Sequence, residues 1–277
     1  MPSPVPLPAA LAEAAARRNA LLTWTVEGWD ETRAIAQIVT QLEMPAVLSV
    51  SPEAVEDRPV AVWGAMLSAL ADEVDGLLVA HLDGVSSVAA LEEAADAGFS
   101  SVGVVPALPD FGSYFDTLAE IAAAARARGV SVEAEAFIPV GDREKGRFLS
   151  HPPLAIDMVR TVEVDALALS ITDGTHPISG HSVVDWSVIE AISPRVGVPL
   201  TLRPGSYLAA EDRLRLGREF GVRAIDVSVA QRAEFSRLIR IAVARSHQSP
   251  GRRELMSELR QGLSDWALRM VMETWRR

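Results

Sequence analysis

The 277-residue chain contains no cysteine. Disulfides, thiolate metal sites and cysteine nucleophiles are therefore excluded, and stability has to come from an apolar core. Lysine is almost absent: Lys145 stands against 25 arginines. It lies in the polar run Gly141-Asp142-Arg143-Glu144-Lys145-Gly146. Schiff-base chemistry needs a desolvated lysine at a strand end, so this placement argues against it. Positive charge is outnumbered as well, with a net charge of −11 and a pI of about 5.0. Nucleic acid and anionic membranes demand clustered Lys and Arg, so neither is expected as a partner. A small anionic substrate needs only one local cation and stays open. The apolar stretch from Val60 to Ala71 is too short to span a bilayer. The Pro-rich start, Met1 to Pro8, lacks a basic run before an apolar core. No signal peptide is read there, and a cytoplasmic protein is expected.

What is present is alternation. Hydrophobic residues make up 49% of the chain. Short β-branched runs alternate with longer helical ones, the pattern of a parallel sheet with crossover helices. Eight strands are expected, at 21–26, 46–51, 76–83, 101–105, 131–137, 166–172, 199–204 and 224–229. Helices are expected at 30–42, 60–73, 88–97, 114–128, 153–162, 185–192, 210–220, 231–246 and 252–275, and the Ala-rich run 9–16 is also helix-forming. Eight β/α units point to one (β/α)8 TIM-barrel domain over 1–277, with the barrel at about 18–246 and a helical extension at about 251–277. A doubly wound sheet would carry a Gly-rich fingerprint after the first strand, and Val26-Glu27-Gly28-Trp29 is a poor match.

Barrel chemistry sits at the C-terminal strand ends. The candidates there are Thr25 and Glu27, Ser51, His81 and Asp83, Glu133 and Glu135, Asp173 with His176 and His181, Arg203 with Ser206, and Asp226 with Ser228. Glu133 and Glu135 alternate on one strand and share a face. They are either site acids or an ion pair with Arg203 or Arg143. Asp83 is either catalytic or a helix cap, and Ser86 or Ser87 could cap instead. His81 reads as buried and hydrogen-bonded, His151 and His247 as surface residues. Ser51, Gly205 and Ser206 could cradle an anion through hydroxyl and N–H groups, or simply form turns.

The run Val79-Ala80-His81-Leu82-Asp83-Gly84-Val85-Ser86-Ser87 resembles the third strand of the class II, metal-dependent fructose- and tagatose-bisphosphate aldolases. Ala97-Gly98-Phe99-Ser100-Ser101-Val102, Gly129-Val130-Ser131-Val132-Glu133-Ala134-Glu135, Val164–Ile171 and Val198–Leu202 are similar to later segments of that family, in order. The resemblance implies a TIM barrel, a lyase acting on a small phosphorylated or carboxylated hydroxy-ketone, and a homodimer or higher homo-oligomer held partly by terminal helices. It makes Asp83 the acid/base. It also implies three zinc histidines, and the matching positions here are Gly84, Thr175 (or its neighbour His176) and Arg203.

Those substitutions lead us to expect no zinc site. An oxygen-rich set of Asp83, Glu135, Asp173 and His176 would instead suit Mg²⁺ or Mn²⁺. With no cofactor at all, Arg203 could stabilise an enolate. The catalytic candidates are then Asp83, Arg203, Glu135 and His176, with Ser51, Gly205, Ser206, Asp226 and Thr25 holding substrate. Two outcomes stay open: a divergent carbon–carbon lyase, or an inactive homologue kept for binding or assembly.

Overall fold

A computed structural model describes residues 4–105, 111–139, 148–172, 181–245 and 251–275. Eight parallel strands close into a barrel: β1 (Leu21–Val26), β2 (Ala46–Val50), β3 (Leu78–Val85), β4 (Ser101–Val104), β5 (Ser131–Glu135), β8 (Ala166–Leu169), β9 (Leu200–Leu202) and β10 (Val222–Asp226). Two further short strands, β6 (Phe137–Pro139) and β7 (Phe148–Ser150), form a separate antiparallel pair between β5 and β8. That pair was not expected, because three-residue strands carry no usable periodicity.

The helices are α1 (Leu7–Ala16), α2 (Trp29–Leu42), α3 (Pro52–Asp57), α4 (Val60–Ala71), α5 (Val88–Ala97), α6 (Phe111–Arg128), α7 (Pro152–Thr161), α8 (Trp186–Ile192), α9 (Ala210–Glu219), α10 (Ser228–Arg245) and α11 (Arg252–Thr274). Local chemistry sets several boundaries. Ser51 Oγ accepts from Ala54 N and Pro52 opens the helix, so α3 starts there. Ser87 Oγ accepts from Ala90 N and caps α5, which leaves Asp83 free of that duty. α5 ends at Gly98, whose φ of +94° suits glycine.

The barrel interior is layered. At its N-terminal end Leu21, Val47, Val79, Ala166 and Ala224 form an apolar layer against Leu7, Ala10, Leu11 and Ala14 of α1. Val5 N–H donates to Leu78 O, and Leu7 N–H donates to Ser131 Oγ, which pins α1 across that end. The next layer is polar and buried: Thr23, Ser49, His81, Ser101, Glu133 and Thr201. Barrels of this type usually fill that space with branched aliphatic side chains, so the interior here departs from the rule. The alternation of side chains carries Asp83, Glu135 and Arg203 into the layer above, at the C-terminal mouth.

α11 lies along α2 and α10. Its apolar stripe, including Leu259, Leu263, Ala267 and Val271, is buried within the chain. Trp266 meets Trp24 of β1 edge-on, with ring centroids 5.8 Å apart. Arg213 of α9 is buried and donates to Thr274 Oγ1, Glu273 Oε2 and Leu208 O, so the last turn of α11 is tied to the chain that follows β9. No helix among the described residues is long and apolar enough to cross a membrane.

Leu11 is 1% exposed at the centre of the α1 contact. Leu11→Ala is expected to cost about 2–5 kcal/mol of stability in urea unfolding, the range for a leucine cavity.

Candidate functional site

The centre of the C-terminal mouth is an arginine. Arg203 extends from the end of β9 across the interior to β3 and β5. Its Nη1 donates to Asp83 Oδ2 at 2.7 Å, and Glu135 Oε1 lies 3.8 Å from the same nitrogen. Its Nη2 lies 2.9 Å from Glu133 Oε2 and 3.2 Å from His81 Nε2. Glu133 Oε2 forms no hydrogen bond of acceptable geometry despite that short ion-pair distance, while Glu133 Oε1 accepts from Thr201 Oγ1 at 2.6 Å. One guanidinium therefore faces three carboxyl groups and an imidazole.

The imidazole has one consistent tautomer. A guanidinium can only donate, so Nε2 of His81 accepts. The proton then sits on Nδ1 and is donated to Ser101 Oγ at 2.9 Å. Burial lowers the His81 pKa; Arg203 acts in the same direction, and the nearby Glu133 and Asp83 oppose it without reversing it. His81 is thus a neutral acceptor that holds Arg203 in place. Its neighbour Gly103 is required by space: a Cβ there would lie 2.6 Å from Asp83 Oδ1 and 2.9 Å from His81 Nε2.

The carboxyl groups are driven apart. Burial raises Asp83, but the Arg203 charge and the hydrogen bonds from Arg203 and Gly84 N–H outweigh it, and its pKa is lowered. Burial pushes Glu135 up to about 8, reinforced by Asp83, Glu133 and Asp226 and opposed by Arg203. At neutral pH, then, one carboxyl beside the guanidinium is ionised and another carries a proton. The Asp83 side chain is 23% exposed and that of Arg203 12%, so the cluster opens to solvent on the Asp83 side.

The remaining expected residues are placed around this centre. Asp226 is buried, its pKa raised by burial, and it accepts from Ser228 N–H and Ser228 Oγ. Ser206 Oγ accepts from Val229 N–H. The first turn of α10 is thus capped by the protein's own side chains. Ser51 caps α3 in the same way. Gly205 packs so closely that a Cβ would sit 2.2 Å from Ile225 Cγ2. Thr25 stands at the end of β1, where its carbonyl accepts from Gln231 Nε2. His151 and His181 are exposed. Asp173, Thr175, His176, Arg143, Lys145 and His247 lie outside the described residues. Among the described residues no group of three or more His, Cys, Asp or Glu side chains is arranged to hold a metal ion.

The sequence offered Arg203 as an ion-pair partner of Glu133 and Glu135; it reaches Glu133 at 2.9 Å, while its contact with Asp83, at 2.7 Å, was not expected. His81 is buried and hydrogen-bonded as expected, but its contact with Arg203 was not foreseen. The strand alternation already places His81 on the face of Asp83, and that was the available signal.

The sequence matches the class II fructose-bisphosphate aldolase family over residues 5–274. Among curated relatives, a fructose-bisphosphate aldolase of Geobacillus stearothermophilus is 25% identical over 248 residues, covering 85% of this chain and 84% of the relative. A probable fructose-bisphosphate aldolase of Bacillus subtilis is 25% identical, covering 87% of each. The crystal structure of the YdjI aldolase from Escherichia coli K12 superposes with a TM-score of 0.81, covering 98% of this chain and 97% of that one, at 18% identity; at that identity the likeness speaks for the fold.

Removing the shared cation would leave buried carboxylates without a partner. Arg203→Met is expected to cost about 3–5 kcal/mol near pH 8, the usual penalty for breaking a buried pair. The lowered Asp83 pKa means that its contribution is present above the ordinary carboxylate range and is lost as pH falls through the folded value. The difference between Arg203→Met and wild type should therefore shrink in acid, as read by denaturant unfolding across pH.

Proposed function

We propose that this chain, which belongs to the class II fructose-bisphosphate aldolase family, is an aldolase-type lyase that works on a small hydroxy-ketone without zinc. The family is usually zinc-dependent. On the sequence resemblance, the positions that answer to its zinc histidines are Gly84, Thr175 (or its neighbour His176) and Arg203. Gly84 offers no side-chain donor, and its backbone resists repair: φ is +76°, and a Cβ would lie 2.5 Å from Pro52 Cγ. Arg203 brings a permanent positive charge to a second ligand position. These two residues do not fit a zinc ligand set of about three protein donors. The same guanidinium, already facing Asp83 and Glu135, stands against a rearranged Mg²⁺ or Mn²⁺ site built on that pair. Thr175 and His176 lie outside the described residues.

The observation that carries the reading is the split between Asp83 and Glu135 on either side of Arg203 Nη1. Groups whose environments push their pKa values apart are the natural base and acid. In retro-aldol cleavage Asp83 takes the proton of the substrate hydroxyl, and the carbon–carbon bond breaks to give an aldehyde and an enolate. Arg203 stabilises the developing enolate oxygen, and Glu135 returns a proton to the enolate carbon. Thr25, Ser51, Ser206, Gly205 and Asp226 line the approach and hold the rest of the substrate. We place the enzyme in the cytoplasm and as a homo-oligomer by the same family analogy.

A second reading keeps the barrel for binding or assembly alone. It is favoured by one observation: Ser51, Ser206 and Asp226 already spend hydrogen bonds on the protein's own backbone.

Proton exchange separates the two. Wild type incubated in D₂O with dihydroxyacetone phosphate or hydroxypyruvate is expected to exchange the hydrogens next to the carbonyl, as followed by NMR, with or without a chelator. Glu135→Gln should slow this exchange roughly 100- to 10,000-fold, the usual range for a lost acid/base, because the proton at the enolate carbon moves through Glu135. Unchanged exchange in Glu135→Gln removes Glu135 from the chemistry, unchanged retro-aldol cleavage in Asp83→Asn removes Asp83, and no exchange by wild type favours the second reading. Stoichiometric zinc in the purified protein would defeat the metal-free part.

The acid has its own signature. Turnover that needs protonated Glu135 falls as pH rises through about 8, and this alkaline limb should be missing from the residual activity of Glu135→Gln.

A further inference from the structure

The far end of the substrate has to fit what surrounds Arg203. TIM-barrel enzymes frequently hold a phosphate between the loops after the seventh and eighth strands and a helix N-terminus, where free N–H groups meet the anion. Those strands here are β9 and β10, and the helix is α10. Asp226, the last residue of β10, accepts from Ser228 N–H at 2.9 Å and from Ser228 Oγ at 2.6 Å. Ser206 Oγ, from the chain after β9, accepts from Val229 N–H at 3.1 Å. Gly205 N–H donates to Asp226 O at 2.9 Å, and Val227 N–H donates to Thr23 O at 3.2 Å. The donors that would turn toward a phosphate are thus already bound by the protein's own oxygens. Ser51, after β2, is committed in the same way to Ala54 N–H.

The charge balance points the same way. Among the described residues Arg203 is the cation at the centre of the mouth, and it faces Asp83, Glu133 and Glu135. Asp226 adds a fourth carboxyl group within electrostatic reach of Arg203, Asp83 and Glu135. Arg232 is exposed and lies 3.6 Å from Glu27. A phosphate dianion can only accept, and it would meet the oxygens of Asp226 and Ser206 where it needs donors. A hydroxyl group both donates and accepts, so it can give its proton to a carboxyl oxygen and still take a bond from a neighbouring donor.

We propose that the substrate is an unphosphorylated hydroxy-ketone whose far end carries hydroxyl groups and no charge, with Asp226 and Ser206 filling the place that would otherwise receive a phosphate. Such discrimination comes from what repels the wrong ligand as much as from what holds the right one. The inference rests on the lyase reading, which supplies the hydroxy-ketone.

The test compares two ketones that differ only in the phosphate, dihydroxyacetone and dihydroxyacetone phosphate. Each is given to the full chain and followed by hydrogen exchange in D₂O and by ligand-observed NMR binding. Both are expected to exchange, with kcat/KM higher for dihydroxyacetone by roughly tenfold or more, the scale of one hydrogen bond to a charged group. Dihydroxyacetone should also bind the more tightly. Asp226→Asn keeps an oxygen for the Ser228 cap and replaces the acidic oxygen with an amide donor, so it should shift the preference toward the phosphate ester. Ser206→Ala bares Val229 N–H and should shift it the same way, which keeps the test if Asp226→Asn fails to fold. A wild type that prefers the phosphate ester, or a preference unmoved in both variants, overturns the inference and leaves the lyase reading standing. Exchange of neither ketone defeats the lyase reading instead, and binding then decides: tighter dihydroxyacetone supports the inference, and a tighter phosphate ester or no binding of either overturns it.

Discussion

A buried guanidinium holds the mouth of this barrel together. Carboxyl groups at Asp83, Glu133 and Glu135 come from two strands and converge on the barrel interior, where burial drives Asp83 and Glu135 toward taking up a proton. Arg203 crosses from a third strand and offsets enough of that charge for Asp83 to remain ionised. The neutral imidazole of His81 and the hydroxyl groups of Ser101 and Thr201 occupy neighbouring donor and acceptor positions. A cluster of this kind is a poor source of net stability compared with an apolar core of equal volume. Its persistence is easier to understand as a requirement of the mouth than of the fold.

The fold itself draws on other resources. The apolar seal between α1 and the N-terminal layer, and the wrap of α11 over α2 and α10, bury large aliphatic and aromatic side chains. The two ends of the barrel are thus specialised, one for cohesion and one for polarity. Arg213 links the C-terminal helix by hydrogen bonds to Leu208, five residues after Arg203.

Much of the architecture was legible in the sequence. Leu21–Val26 and Val88–Ala97 were placed to the residue, because each has clear apolar patterning and an unambiguous boundary. α3 was missed: Pro52-Glu53-Ala54-Val55-Glu56-Asp57 is too short and too polar to show a helical stripe, although Ser51 and Pro52 do mark a helix start. At the site, alternation correctly grouped Glu133 with Glu135. It could not tell which carboxylate Arg203 would reach, because that depends on strand tilt and register around a closed barrel. Gln231 was invisible for a related reason. A glutamine inside a helix is ordinary until the structure sets its amide against a neighbouring strand end.

The α1 seal has a further meaning for traffic. Leu7 and Leu11 stopper one end of the barrel, so among the described residues the approach to Asp83 and Glu135 lies at the opposite end. Water, ligand and the protons exchanged by Glu135 share that mouth. A molecule over Asp83 would stand between Glu135 and bulk solvent, so the Glu135 proton would be exchanged only before it arrives or after it leaves.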